Sequence, residues 1–110
     1  MFGLFKKEYS LNEEEFKAKM ATGGQVIDVR SPGEFRSGHL EKAKNIPLDQ
    51  LSGKVSEISA MSSKGKDILL YCHSGSRSSM AYRILKNANI ENIFDLKGGM
   101  MFWRGPVKRL

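Results

Sequence analysis

The stretch Ile68-Leu69-Leu70-Tyr71-Cys72-His73-Ser74-Gly75-Ser76-Arg77-Ser78 decides the reading of this chain. Its first four residues form an apolar run that reads as a buried strand. The residues after Ser78 carry apolar side chains at helical spacing. A strand that ends in a Gly/Ser-rich turn and opens a helix points several backbone N–H groups into one small bowl. Cys72, the only cysteine of the chain, stands at the lip of that bowl. Thiolate is the nucleophilic form of the side chain, and helix N-termini and nearby cations can lower a cysteine pKa from ~8.5 to ~3.5–7.5. The stretch therefore marks an enzyme candidate with a thiolate populated near neutral pH.

Working outward, apolar and polar segments alternate as helix and strand, which argues for an α/β domain with a largely parallel sheet. Ser10-Leu11-Asn12-Glu13 reads as a capping box and predicts a helix from about Leu11 to Met20, ended by Thr22-Gly23-Gly24. Val26-Ile27-Asp28-Val29 reads as a short strand. Ser31-Pro32-Gly33-Glu34 is a second capping box with proline at its first helical position, starting a short helix through Phe35 and Arg36. Gly38-His39-Leu40 ends it, and Ala43 to Pro47 gives another short strand. Leu48 to Leu51 reads as one helical turn, followed by a weak helix with Val55, Ile58 and Met61 at helical spacing.

After the cysteine loop, Ser78 to Ala88 is the clearest helix, with Met80, Ile84, Ala81, Leu85 and Ala88 on one apolar stripe. Asn89 is its left-handed stop. Asn92 to Leu96 is the last strand, and Gly98-Gly99 breaks into a short turn from Met100 to Trp103. In a parallel open sheet, ligands gather at the carboxyl ends of strands. Asp28 and Arg30, Cys72, and Gly98-Gly99 all follow strands there, so three segments are expected to converge on one edge.

At 110 residues the chain is expected to be one domain, residues 10–110, preceded by an arm over residues 1–9. Phe2, Leu4 and Phe5 are apolar, but the stretch is too short for a signal peptide or a membrane span and reads as an arm packing on the domain. One cysteine allows no internal disulfide, which fits a reducing cytoplasm. The net charge of +6 attracts anions and acidic proteins. The cations are scattered apart from Arg104, Lys108 and Arg109, with no aromatic-interleaved basic stripe. No nucleic acid partner is expected, and most of this charge reads as a solvated surface.

Three motifs in order resemble those of single-domain rhodanese-like sulfurtransferases. An Asp-Val-Arg, a Glu, a Gly-His and an Ile-Pro stand as Asp28-Val29-Arg30, Glu34, Gly38-His39 and Ile46-Pro47. A Cys-Arg-Ser-Gly-x-Arg-Ser motif stands as Cys72 to Ser78, and a Leu-x-Gly-Gly-x-x-x-Trp motif as Leu96 to Trp103. The resemblance covers nearly everything from about Ser10 onward. It implies an open, mostly parallel sheet flanked by helices on both faces. It also implies a sulfane-sulfur carrier in which Cys72 takes the outer sulfur of thiosulfate or a persulfide, holds it as a cysteine persulfide, and passes it to cyanide or a thiol. A small sulfur donor and a thiol acceptor, or an acceptor protein, are the implied partners. Neither a metal nor an organic cofactor is required.

Each residue also has a plainer reading. Cys72 could be a buried core cysteine. Arg77 at a helix start opposes the helix dipole, so it needs a reason: holding the loop through carbonyl or carboxylate contacts, or meeting an anionic donor. Gly75 allows the loop to curl. Ser74, Ser76 and Ser78 offer hydroxyl donors, and Ser78 could equally be an N-cap. Asp28 and Arg30 read as a charge arrangement bracing the bowl, with Glu34 and Arg36 ambiguous beside them. His39 reads as a structural histidine. His73 replaces a frequent arginine, so the loop carries one fixed cation fewer and weak thiosulfate affinity is expected. Met100, Phe102 and Trp103 could line the pocket but read as core.

Two rival functions remain. A cysteine phosphatase or arsenate reductase also uses a Cys…Arg loop after a strand, but such loops place one residue more between the two than His73, Ser74, Gly75 and Ser76. The shorter loop makes a tighter bowl, suited to one sulfur atom. The other rival is a binding module or carrier without turnover.

Overall fold

The computed structural model describes residues 8–110; the expected contacts of Phe2, Leu4 and Phe5 lie outside the described residues. Its elements are β1 (Ser10–Leu11), α1 (Glu13–Ala21), β2 (Gln25–Asp28), α2 (Pro32–Ser37), β3 (Lys44–Asn45), a 3-10 segment (Leu48–Lys54), α3 (Val55–Ser63), β4 (Ile68–Tyr71), α4 (Ser76–Asn87), β5 (Ile93–Leu96) and α5 (Gly99–Phe102). The five strands form one sheet in the order β1-β5-β4-β2-β3. Every pairing is parallel.

Two apolar cores lie against this sheet, one per face. Ile27, Val29, Ile68, Leu70, Cys72 and Ile93 share the first with Leu51, Ile58, Ala81 and Leu85. Val26, Leu69, Tyr71 and Leu96 share the second with Phe16 and Leu40. Successive strand residues point to opposite faces. The continuous runs of β2 and β4 therefore feed both cores, as a strand covered on both sides must. Alternation also separates neighbours with different fates: Cys72 looks to the α3/α4 face and Tyr71 to the α1/α5 face.

The expected start of the first helix is two residues early. Ser10–Leu11 is strand β1 beside β5, and Asn12 is the N-cap, its side chain accepting from Glu15 N–H at 2.9 Å while Glu15 accepts from Asn12 N–H. Ser and Asn are both good caps, and the open edge of β5 decides between them by claiming Ser10. Tyr9, assigned to the arm from sequence, stacks on Tyr82 with ring centroids 3.6 Å apart.

The second capping box stands where it was expected, Ser31 capping Glu34 with Pro32 at the first helical position. Asn89 closes α4 with φ of 63°. Helix α4 begins at Ser76 rather than Ser78, because Gly75 takes the N-cap position with φ of +112°, a left-handed conformation open to glycine. Met80 is half-exposed rather than part of the buried stripe, since Ala81 and Leu85, four residues apart, hold the inner line. Phe102, expected in the core, is 70 % exposed. On α5 the inner face is taken by Met100 and Trp103, three residues apart, which leaves Phe102 outward.

Candidate active site

Cys72 directly follows β4 and is 1 % exposed. Its Sγ accepts from Gly75 N–H at 3.1 Å and from Ser78 N–H at 3.3 Å, and lies 3.5 Å from Ser78 Oγ. The loop thus closes over its own sulfur. Gly75 makes this possible: its left-handed turn brings the first N–H groups of α4, which lack intrahelical partners, back toward the end of β4. Backbone N–H groups aimed at one atom favour negative charge there.

The far rim of the loop is held by the turn after β5. Met100 N–H donates to Cys72 O and Met101 N–H to His73 O, both at 2.9 Å. Gly99 has φ of +60°, and a Cβ there would sit against Cys72 O and 2.6 Å from His73 O. Only glycine lets the two segments approach so closely.

On the opposite face lies a closed charge network. Arg30 Nη2 donates to Asp28 Oδ2 at 2.7 Å and to Gly38 O at 2.6 Å, and Arg30 Nε donates to Asp28 Oδ1 at 3.0 Å. Tyr71 OH donates to Asp28 Oδ2 at 2.7 Å and accepts from Leu40 N–H at 3.1 Å. Burial first, then the charge of Asp28, push the Tyr71 phenol up, so it stays a donor. All of Asp28, Arg30 and Tyr71 are buried. These residues brace β2 against β4 and do not bond the sulfur.

Arg77 takes the carboxylate contact that its place at a helix start called for. Its two terminal nitrogens donate to the two oxygens of Glu34 at 2.7 and 2.9 Å. That bidentate bond, against a smaller opposing effect of burial, lowers the Glu34 carboxyl to about 2. The same pairing raises the Arg77 guanidinium, and the field of Cys72 adds to it. The arginine thus ties α4 to α2 beside the loop.

His73, Ser74 and Ser76 are exposed. His73 faces a shallow cleft of about 570 Å³ shared with Arg30, Ser37, Met100 and Arg109. His39 is structural: Nδ1 lies 2.7 Å from Phe35 O and the ring stacks on Phe35 at 3.8 Å. Ser78 is buried, and its hydroxyl donates to Asp95 Oδ1 at 2.6 Å. Sequence reasoning passed over Asp95. The signal was there: an acid inside the apolar run Ile93-Phe94-Asp95-Leu96.

A parallel sheet with a cysteine loop between its central strand and a helix is an α/β architecture that sets the thiol at the strands' carboxyl edge. The rhodanese-like domain model matches residues 12–105, and the chain belongs to that family. It is 41% identical over 99 residues to the uncharacterized protein YqhL of Bacillus subtilis, a match covering 90% of this chain and 75% of that one. It is 35% identical over 104 residues to thiosulfate sulfurtransferase 18 of Arabidopsis thaliana, covering 86% of this chain and 76% of the other. The crystal structure of a rhodanese-related protein from Thermoplasma volcanium superposes with a TM-score of 0.78 at 28% identity, covering 90% of this chain and 96% of that one. Among the described residues, no helix is long and apolar enough to cross a membrane.

Proposed function

We propose that this protein is a sulfurtransferase that carries sulfane sulfur as a persulfide on Cys72. The observation that carries the reading is the pair of N–H groups, of Gly75 and Ser78, aimed at a buried sulfur that ends a central strand. The Cys72 thiolate attacks the outer sulfur of the donor. A new S–S bond forms as the donor's own bond to that sulfur breaks, and sulfite leaves from thiosulfate or a thiolate from a persulfide. The bowl then holds Cys72–S–S⁻, with the N–H groups of Gly75 and Ser78 and the nearby Arg77 offsetting its charge. A thiolate or cyanide attacks the outer sulfur, and Cys72 leaves as the thiolate. Electrons balance over the two transfers, so no resident redox group is needed.

Glu34 and the Asp28–Arg30 network keep the loop in shape rather than touch the donor. Arg109, on the cleft that His73 also lines, supplies the outer charge that an anionic donor meets, and the lone cysteine suits a reducing cytoplasm. Incubation with thiosulfate or a low-molecular-weight persulfide, followed by mass spectrometry, tests the reading. One sulfur atom is expected on Cys72, released by cyanide as thiocyanate, and none on Cys72→Ser. Sulfur loading on the serine variant, or none on the parent, overturns the assignment. Loading without repeated turnover identifies a carrier, and phosphate-ester hydrolysis without loading identifies a phosphatase.

A further inference from the structure

The cycle above leaves one buried pair without a task. Cys72 Sγ, Ser78 Oγ and Asp95 Oδ1 form an unbroken line, 3.5 Å and then 2.6 Å. All three residues are buried, Asp95 at 3 % exposure. Strand alternation places them together. Asp95 pairs in register with Leu70 and, like Ile93, looks to the α4 face, where Cys72 also points. Ser78 descends from the first turn of α4 between them.

The Ser78 hydroxyl has a single proton and three acceptors within reach: Asp95 at 2.6 Å, Gly75 O at 3.2 Å and the sulfur at 3.5 Å. The carboxylate is by far the closest, so the proton lies toward Asp95 and an oxygen lone pair faces the sulfur. A Cys72 thiol meeting that lone pair donates its S–H to Ser78 Oγ. The other groups bonded to the sulfur are backbone N–H groups, which cannot accept a proton.

We propose that Asp95, acting through Ser78, is the internal proton acceptor that turns the Cys72 thiol into the thiolate. The S–H bond of Cys72 breaks as its proton passes to Ser78 Oγ, and the proton already on Ser78 passes to Asp95 Oδ1. Thiol and carboxylate become thiolate and carboxylic acid, the serine is restored, and net charge is unchanged. The proton stays inside the protein while the sulfur is loaded, and can return when Cys72 is released. What the thiolate then does rests on the sulfur-transfer reading.

Other titratable and charged groups surround the line. On α4 stand Arg77, paired with Glu34 of α2, and Tyr82, stacked on Tyr9 ahead of β1. Asp28 is closed by Arg30 and Tyr71 on the opposite face, His73 is exposed on the loop, and Asp95 has a further interaction besides Ser78. Of the named side chains, Ser78 is the one that bonds both the sulfur and the carboxyl group.

The rate of Cys72 alkylation by iodoacetamide, followed from about pH 4 to about pH 10, tests the relay, because two groups sharing one proton titrate as a pair. The parent should show two steps, with an acid shoulder where the thiolate persists at the expense of Asp95. Asp95→Asn keeps an oxygen for Ser78 but cannot take the proton. Its profile should have one step, falling about tenfold per pH unit on the acid side. Ser78→Ala should lose the shoulder by about tenfold or more, and Ser78→Thr should restore it. A single step in the parent, a shoulder kept in Asp95→Asn, or greater reactivity of that variant at every pH overturns the proposal. If Asp95→Asn does not fold by circular dichroism, the two Ser78 variants decide. A shoulder without sulfur loading sinks the sulfurtransferase reading alone; loading with a one-step profile sinks the relay alone.

Discussion

Two buried aspartates lie near the carboxyl edge of this sheet, on opposite faces, and their surroundings differ. Asp28 is gripped by Arg30 and by a Tyr71 phenol that stays protonated, so every hydrogen bond it receives comes from a donor with a fixed proton. Asp95 receives a serine hydroxyl whose oxygen in turn accepts from the sulfur of Cys72, and it has a further interaction besides. The first arrangement holds its geometry whatever the site is doing. The second, on the proposed relay, can change state with the thiol of Cys72. The end of β4 thus meets a rigid frame on one face, through Tyr71 and Asp28 of β2, and the Ser78–Asp95 line on the other, through Cys72 one residue later.

The sharpest way to break the contrast is to remove the rigid side. Asp28→Ala leaves the Arg30 guanidinium buried and unpaired, and breaking a buried pair from one end costs about 3–5 kcal/mol. Urea unfolding should show that loss, with sulfur loading by the folded fraction much less affected. A stability loss below about 1 kcal/mol would mean the network is not the frame. Next comes Gly99→Ala, which adds a Cβ against Cys72 O and His73 O at a left-handed position. We expect about 2 kcal/mol of destabilisation together with slower sulfur loading, since the displaced atoms are the loop itself.

Arg77→Ala should separate fold from function. Its salt bridge to Glu34 is more than a third exposed on both sides, so its loss costs no more than about 1 kcal/mol. On the proposed cycle its positive charge beside the loop favours an anionic sulfur, and sulfur transfer should fall about tenfold. Equal transfer rates in parent and variant would reduce Arg77 to a tie between helices.

The smallest effect is one of pH. Glu34 is lowered from its ordinary 4.5 to about 2 by Arg77. A depressed carboxyl contributes stability that is fully present above its unfolded value and is lost as pH falls through its folded value. The Glu34–Arg77 tie should therefore be intact above about pH 4.5 and fade toward about pH 2. Unfolding free energies of the parent and Glu34→Gln from urea titration should differ at neutral pH by less than about 1 kcal/mol, screened by solvent, and converge in acid. A difference that persists at pH 2 would place the origin elsewhere.

Features set by a few neighbouring residues were legible in the sequence. The Ser31–Glu34 capping box and the left-handed Asn89 depend on bonds spanning three or four residues, the apolar run before Cys72 is marked by its own consecutive side chains, and each stands as the pattern predicts. The convergence of Asp28, Cys72 and Gly98-Gly99 on one edge followed from parallel strands, whose carboxyl ends share a side. Strand β1 was not legible, because two residues carry no periodicity and the edge of β5 alone makes them a strand. Nor was the exposed side of α5, where the choice of inner residues depends on the core it meets.

The partner of each charged or hydroxyl group belonged to the tertiary structure. Arg77 finds Glu34, Tyr71 finds Asp28, and Ser78 finds Asp95 across 43, 43 and 17 residues. The types of these residues were written in the chain, but their pairing was not. It follows from the strand order β1-β5-β4-β2-β3, which sets β2 and β5 on either side of β4, and from alternation, which sends Asp28 to one face and Asp95 to the other. By itself the sequence determined which residue carries the thiol and how its loop begins. Only the packed sheet decided which carboxylate braces that loop and which one lies within a proton's reach of the sulfur.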